Sequence, residues 1–259
     1  MAKRLGIIPY RFAKPIFVGL REQGDAVHSF ELTEDSPARL ALKLREKQLD
    51  AAFLSPIDYA KDYAMYSIIP RVGIASRGNS ATAAVLFKEN LRTVKSIAVN
   101  PVSSSEIVLA HIVFAEKYGS PPSMIPFSAS VQQVLGKYDA ILCSGDEADA
   151  FRDYPYKLDL VEEWEDISEL PFVHGIWVTR EHALVDEELR TIMNSSGKQQ
   201  SPYRVDSLNQ FQYDMNAEAQ AGLAEFFRMA YYHGILPDVP DVRFLSLADD
   251  RLRMPEQMN

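Results

Sequence analysis

Short apolar runs alternate with helix-patterned segments along most of the first 150 residues, and polar turns join them. Leu5–Ile8, Leu49–Leu54, Ile68–Ala75, Ala83–Phe87, Ser96–Val99 and Ala140–Cys143 read as strands. Continuous apolar runs bounded by turn residues are the mark of strands buried on both faces. Pro15–Leu20, the stretch opened by Ser36-Pro37-Ala38, Glu106–Phe114 and Ser130–Gly136 carry helical patterns between them. Ser36 reads as an N-cap and Pro37 as the first helical residue, where a missing N–H does no harm. This alternation predicts an α/β fold with parallel strands, because parallel neighbours require a crossover connection, usually a helix.

The remainder is less regular. Leu158–Trp164 and Phe172–Thr179 flank a turn-like Asp166–Pro171, Asp186–Met193 reads as helix, and Asn194–Val205 reads as a loop rich in Ser, Gly, Gln and Pro. Leu208–Gly234 carries a long amphipathic pattern, ended by Gly234 with Pro237 just beyond. No internal repeat interrupts this order.

Composition excludes several function classes. A net charge of −9 argues against a nucleic-acid footprint and against attraction to an anionic membrane. The single cysteine, Cys143, rules out an internal disulfide. The five histidines (His28, His111, His174, His182, His233) show no metal-ligand spacing, so no metal is expected. No phosphate-loop lysine motif, Gly-x-Gly-x-x-Gly or Gly-x-Ser-x-Gly is present, so no cofactor is expected and no nucleophile elbow is read. No apolar stretch approaches the ~20 residues needed to cross a bilayer. Met1–Arg4 leads directly into Leu5–Ile8, which Pro9 ends, and a cytoplasmic monomer or homodimer is the expectation.

What remains is polar chemistry at the C-terminal ends of strands, where open α/β sheets bind ligands. Tyr10 and Arg11 follow the first strand and Ser55 the second. The turn Arg77–Thr82 includes Asn79, Ser80 and Thr82. Gly145 and Asp146 follow Cys143. Ser103, Ser104 and Ser105 open a helix directly after a strand, a geometry that aims free N–H groups and hydroxyls at an anion. Capping and solvation are the commoner uses of each such residue taken alone; their convergence on one cleft is the functional reading. Arg11, Lys14 and Arg77 are the candidate positive charges for a small carboxylate.

Longer segments carry a resemblance. Asp159-Leu160-Val161-Glu162-Glu163-Trp164 and Leu170-Pro171-Phe172-Val173-His174-Gly175-Ile176-Trp177 are similar to the "D-L-x-E-E-W…L-P-F-V-x-x-x-W" stretch of the MqnA/MqnD family of menaquinone biosynthesis. Gly73–Ser76 with the run to Phe87, Leu49–Tyr59, Gly145-Asp146 and Phe211–Asp214 resemble further family segments, and the likeness is strongest to the chorismate dehydratase branch. The resemblance implies a type II periplasmic-binding-protein-like fold, two α/β lobes around a central ligand cleft. The lobes would be 1–88 plus 178–259 and 89–177, with crossover strands near Ala83–Arg92 and Val173–Arg180. It also implies cofactor-free elimination of water from chorismate on the futalosine route, giving 3-[(1-carboxyvinyl)oxy]benzoate. Ser80 or Thr82 would then contact the reacting group, with Tyr10, Arg11, Ser55, Arg77, Asn79, Ser103–Ser105, Gly145 and Asp146 around the substrate. A binding protein that holds a small cyclic or aromatic carboxylate without converting it is the alternative. The first loop, Pro9–Pro15, departs from the family's "N-Y-x-N-(T/A)-x-P" at both asparagines, and Phe12 takes the place of the second, to which the family attaches chemistry. Val102 and Glu106 replace the serines that flank the family's "P-S-S-x-T-S" segment.

Overall fold

The computed structural model describes residues 2–21, 30–91, 93–102, 104–181, 183–196 and 211–246. Expectations placed on Ser103, His28, His182 and most of the Asn194–Val205 loop lie outside these residues.

Among the described residues two mixed sheets are built from eleven strands. The first sheet takes β1 (Lys3–Ile7), β2 (Phe30–Glu34), β3 (Ala51–Leu54) and β4 (Tyr66–Ser76). The chain then crosses and lays down β5 (Ala83–Phe87), β6 (Ser96–Val99), β7 (Ser123–Pro126), β8 (Ala140–Ser144) and β9 (Lys157–Asp159) in the second sheet. It returns to the first with β10 (Phe172–Arg180) and β11 (Phe211–Gln212). Among the described residues nine α-helices connect and cover them: α1 (Lys14–Arg21), α2 (Pro37–Arg45), α3 (Pro56–Ala60), α4 (Ser104–Tyr118), α5 (Val131–Val134), α6 (Asp146–Ala150), α7 (Leu160–Ser168), α8 (Asp186–Ser196) and α9 (Ala217–Tyr232).

Strand order is β11-β4-β10-β3-β1-β2 in the first sheet and β7-β6-β8-β5-β9 in the second. β1 runs parallel to β2 and β3, and β6 parallel to β7 and β8, as helical crossovers demand. The wholly parallel expectation fails at β5, β10 and β11, which run antiparallel to their neighbours. β5 and β10 are each the first strand laid down after a crossing.

The expected lobe boundaries also shift. β5 pairs with β8 and β9, so residues 83–87 belong to the second sheet; Phe172–Trp177 pair with β3 and β4 in the first. The crossings are therefore the turn at 77–82 and the α7 connection, and β5 and β10 are not strands shared between lobes. Phe211-Gln212 is likewise not helical: it pairs with Ala75 and Ser76, and helix begins only after Asn216, whose side chain accepts from Ala219 N–H at 3.0 Å. Ser36 does occupy the N-cap position of α2, but its buried hydroxyl makes no cap bond.

One apolar core runs through both lobes and includes Leu5, Phe53, Val85, Ile97, Leu109 and Phe226. Trp164, Phe172 and Phe226 meet edge-to-face beneath the α7 crossing, with centroids 5.3–6.2 Å apart. Among the described residues no helix is long and apolar enough to cross a membrane.

Candidate functional site

The turn from β4 to β5 holds two buried hydroxyls side by side. Ser80 Oγ and Thr82 Oγ1 share a hydrogen bond of 2.6 Å. Ala81 between them has φ +54°, a left-handed conformation that costs a non-glycine residue about 1 kcal/mol or more. Asp159 holds it there, its carboxylate accepting from Ala81 N–H at 3.0 Å while it caps α7 through Val161 and Glu162 N–H. Burial pushes the Asp159 carboxyl up, against the lowering effect of these three bonds. Gly78 N–H is fixed by Glu165 at 2.7 Å, and Thr82 C=O accepts from Gly145 N–H at 2.8 Å. Both ends of the turn are therefore tied to the second lobe.

Across from it lies the loop after β1. Gly145 (φ +58°) opens α6, and a Cβ there would stand 2.7 Å from the Tyr10 ring, so the close approach needs glycine. Burial, then Glu106, Asp146 and Glu147, raise the Tyr10 phenol. Arg11 N–H donates to Asp146 at 2.9 Å, and its guanidinium lies against Asp146 and Asp149. Phe12 is buried, its ring stacked on Phe211 (5.5 Å, 8°) and on Tyr10 (5.6 Å, 21°), with His174 5.4 Å away. His174 bonds Ser76 Oγ at 2.7 Å, and burial pulls its imidazole down to about 3, so it stays neutral.

Arg11, Phe12, Ser80, Ala81, Thr82, Gly145, Asp146, Asp149, Arg152 and Phe211 enclose a pocket of about 30 Å³. That is room for one or two water molecules. The lobes thus meet over the hydroxyl pair, and the Phe12 ring fills the space beside it.

Other expected ligand residues have different partners. Ser55 caps α3 and donates to Asp58 at 2.8 Å. Ser104 begins α4, and the fully buried Ser105 Oγ accepts from Ile57 N–H at 3.1 Å, joining α4 to the N-terminus of α3. Arg77 is spent on Glu165 (2.9 Å), the Glu169 carbonyl (3.0 Å) and Glu218 (3.4 Å). Asn79 is exposed and does not line the pocket. Arg11 and Arg77, the candidate positive charges for a carboxylate, each lie against two carboxylates of the protein itself.

Sequence reading missed Asp149, Arg152, Asp159, His174, Phe211 and Glu106. Asp159, His174 and Phe211 lie inside family-like segments, which was the available signal. Glu106 is half-buried in the first turn of α4, and burial, with Asp58 adding to it, pushes its carboxyl up to about 7. Among the described residues no cluster of His, Cys, Asp and Glu could hold a metal ion.

Two mixed sheets joined by two crossings, with polar strand ends meeting between them, define a periplasmic-binding-protein-like fold. Solved structures agree. AF1704 from Archaeoglobus fulgidus is 21% identical with a TM-score of 0.68, over 90% of this chain and 98% of that one. The periplasmic aliphatic sulphonate binding protein SsuA from Escherichia coli is 13% identical with a TM-score of 0.65, over 93% and 95%. The Candida albicans CA3427 gene product, described as having the generic periplasmic binding protein fold, is 13% identical with a TM-score of 0.65, over 93% of each chain. The family described as menaquinone biosynthesis matches residues 3–203, and the chain belongs to that family.

Proposed function

We propose that, within the menaquinone biosynthesis family to which the chain belongs, the protein is a cytoplasmic, cofactor-free chorismate dehydratase. Elimination breaks a ring C–H and the neighbouring C–OH bond, and its electron pair completes the aromatic ring of 3-[(1-carboxyvinyl)oxy]benzoate as water leaves. The observation that carries this reading is the buried Ser80–Thr82 hydroxyl pair, held in a fixed turn at the meeting of the lobes. One hydroxyl would donate to the departing oxygen, prepaid in orientation by the backbone bonds to Asp159, Glu165 and Gly145. Water is excluded once the lobes close. The pocket beside the pair holds about 30 Å³, so a ring the size of chorismate reaches the hydroxyls as the lobes part or the Phe12 ring swings away.

A second reading, binding of a small cyclic or aromatic carboxylate without conversion, is favoured by that same Phe12, which stacks where the family carries an asparagine. Incubating the protein with chorismate separates the two, with product sought by mass spectrometry and binding by calorimetry. Turnover sinks the binding-only reading and binding without product sinks the dehydratase. Neither binding nor product removes chorismate as the ligand.

A further inference from the structure

We propose that the protein carries a second ligand site, for an aromatic carboxylate, on the far side of the second lobe between the C-terminal half of α4 and the β5–β9 pair. A hollow of about 660 Å³ lies there, within the range of small-molecule sites and far larger than the room in the cleft. Phe87 and Phe114 supply apolar walls, and Tyr118, one turn after Phe114, has its ring 5.3 Å from it. Tyr156 lines it from β5's other neighbour, and Phe87 N–H donates to Tyr156 C=O at 2.7 Å, so that wall is built on paired backbone and is preformed.

Tyr118 and Tyr156 are 56% and 42% exposed. A single exposed ring needs no explanation, but two around one concavity mark a binding surface. Lys88 and Lys157 also line it. Lys157 Nζ donates to the Arg152 carbonyl, and neither ammonium is paired with a carboxylate among the described residues. Of the acids nearby, Glu89 accepts from the Tyr156 hydroxyl at 3.1 Å, and Glu163, which adds to burial in raising the Tyr118 phenol, is bonded to Lys117. On a chain of net charge −9, two lysines without acidic partners beside the tilted Phe114–Tyr118 pair suit a planar ring bearing one carboxylate. This site is independent of the reading given to the cleft.

Calorimetry with 2-naphthoate on the full chain tests it, with 2-naphthalenemethanol as the uncharged counterpart. The expected result is saturable naphthoate binding, weakened about tenfold or more both by the alcohol and by the double change Lys88→Glu, Lys157→Glu. Tyr118→Ala should weaken both probes, whereas Thr82→Val in the cleft should leave naphthoate binding intact. Circular dichroism checks that each variant is folded. No binding, equal binding of the alcohol, or binding lost in Thr82→Val but kept in the lysine variant would overturn the proposal.

Discussion

Glu106→Gln isolates one half-buried charge and gives a stability change whose size depends on pH. Glu106 sits in the first turn of α4, where the helix dipole favours an anion by about 0.3–1 kcal/mol. Burial works the other way, Asp58 adds repulsion, and together they move the carboxyl from its usual 4.5 to about 7. Between those values the folded chain holds a proton that the unfolded chain has released, so raising the pH removes stability. Above neutrality the full penalty is about 3 kcal/mol, and the dipole is too weak to cancel it. Glutamine keeps the shape and carries no charge. Urea melts of both proteins from about pH 4 to about pH 8 should therefore coincide near the acid end and diverge steadily through the interval. By about pH 8 the glutamine variant should lead by up to about 3 kcal/mol, or roughly 6–12 °C in melting midpoint. Affinity for a carboxylate in the cleft should fall through the same interval in the parent and not in the variant. Stability curves that stay parallel from acid to alkali would refute the reasoning, because the carboxyl would then titrate alike folded and unfolded.

Other outcomes follow from single contacts. Phe12→Asn removes a ring stacked between Tyr10 and Phe211, so it should cost about 2–4 kcal/mol in denaturant melts while tightening chorismate binding by calorimetry. Gly222→Ala should destabilise although alanine is the better helix former, since its Cβ would meet the Pro171 carbonyl oxygen at 2.1 Å; a thermal melt at or above the parent midpoint would contradict this. Asp159→Ala takes an acceptor from three N–H groups and should cost about 2 kcal/mol or more, with loss of any turnover as Ala81 relaxes. His174 should remain neutral to about pH 4 in ¹⁵N NMR; its pKa lies below that of the unfolded chain, so its share of stability is present above about pH 6.5 and lost as the pH falls.

Much of the architecture was legible because buried strands must be apolar on both faces, and Leu49–Leu54 or Ala140–Cys143 admit little else. Strand direction was not, because Ala83–Phe87 or Phe172–Thr179 is equally apolar read either way, and only the crossing sets how it pairs. Phe211 was lost to the helical pattern that follows it, where pairing with Ser76 outweighs local periodicity. At the site, the strand-end rule brought Tyr10, Arg11, Ser80, Thr82, Gly145 and Asp146 within one small region. Their partners were invisible: an arginine reads alike whether it faces a ligand or an acid 138 residues away, as Arg11 faces Asp149. That difference bears on function. An anion entering this cleft meets guanidiniums that already face carboxylates, Arg11 against Asp146 and Asp149, Arg152 against Asp149, and Arg77 against Glu165 and Glu218; to take Arg11 fully it displaces Asp146 and Asp149, and otherwise it shares that arginine with them or binds through N–H groups and hydroxyls. The same displacement would loosen the contact between the β1 loop and α6 that closes the lobes. A ligand anion and lobe closure therefore compete for one arginine, and the energy of binding through it is the difference between two sets of Arg11 contacts rather than the gain of one.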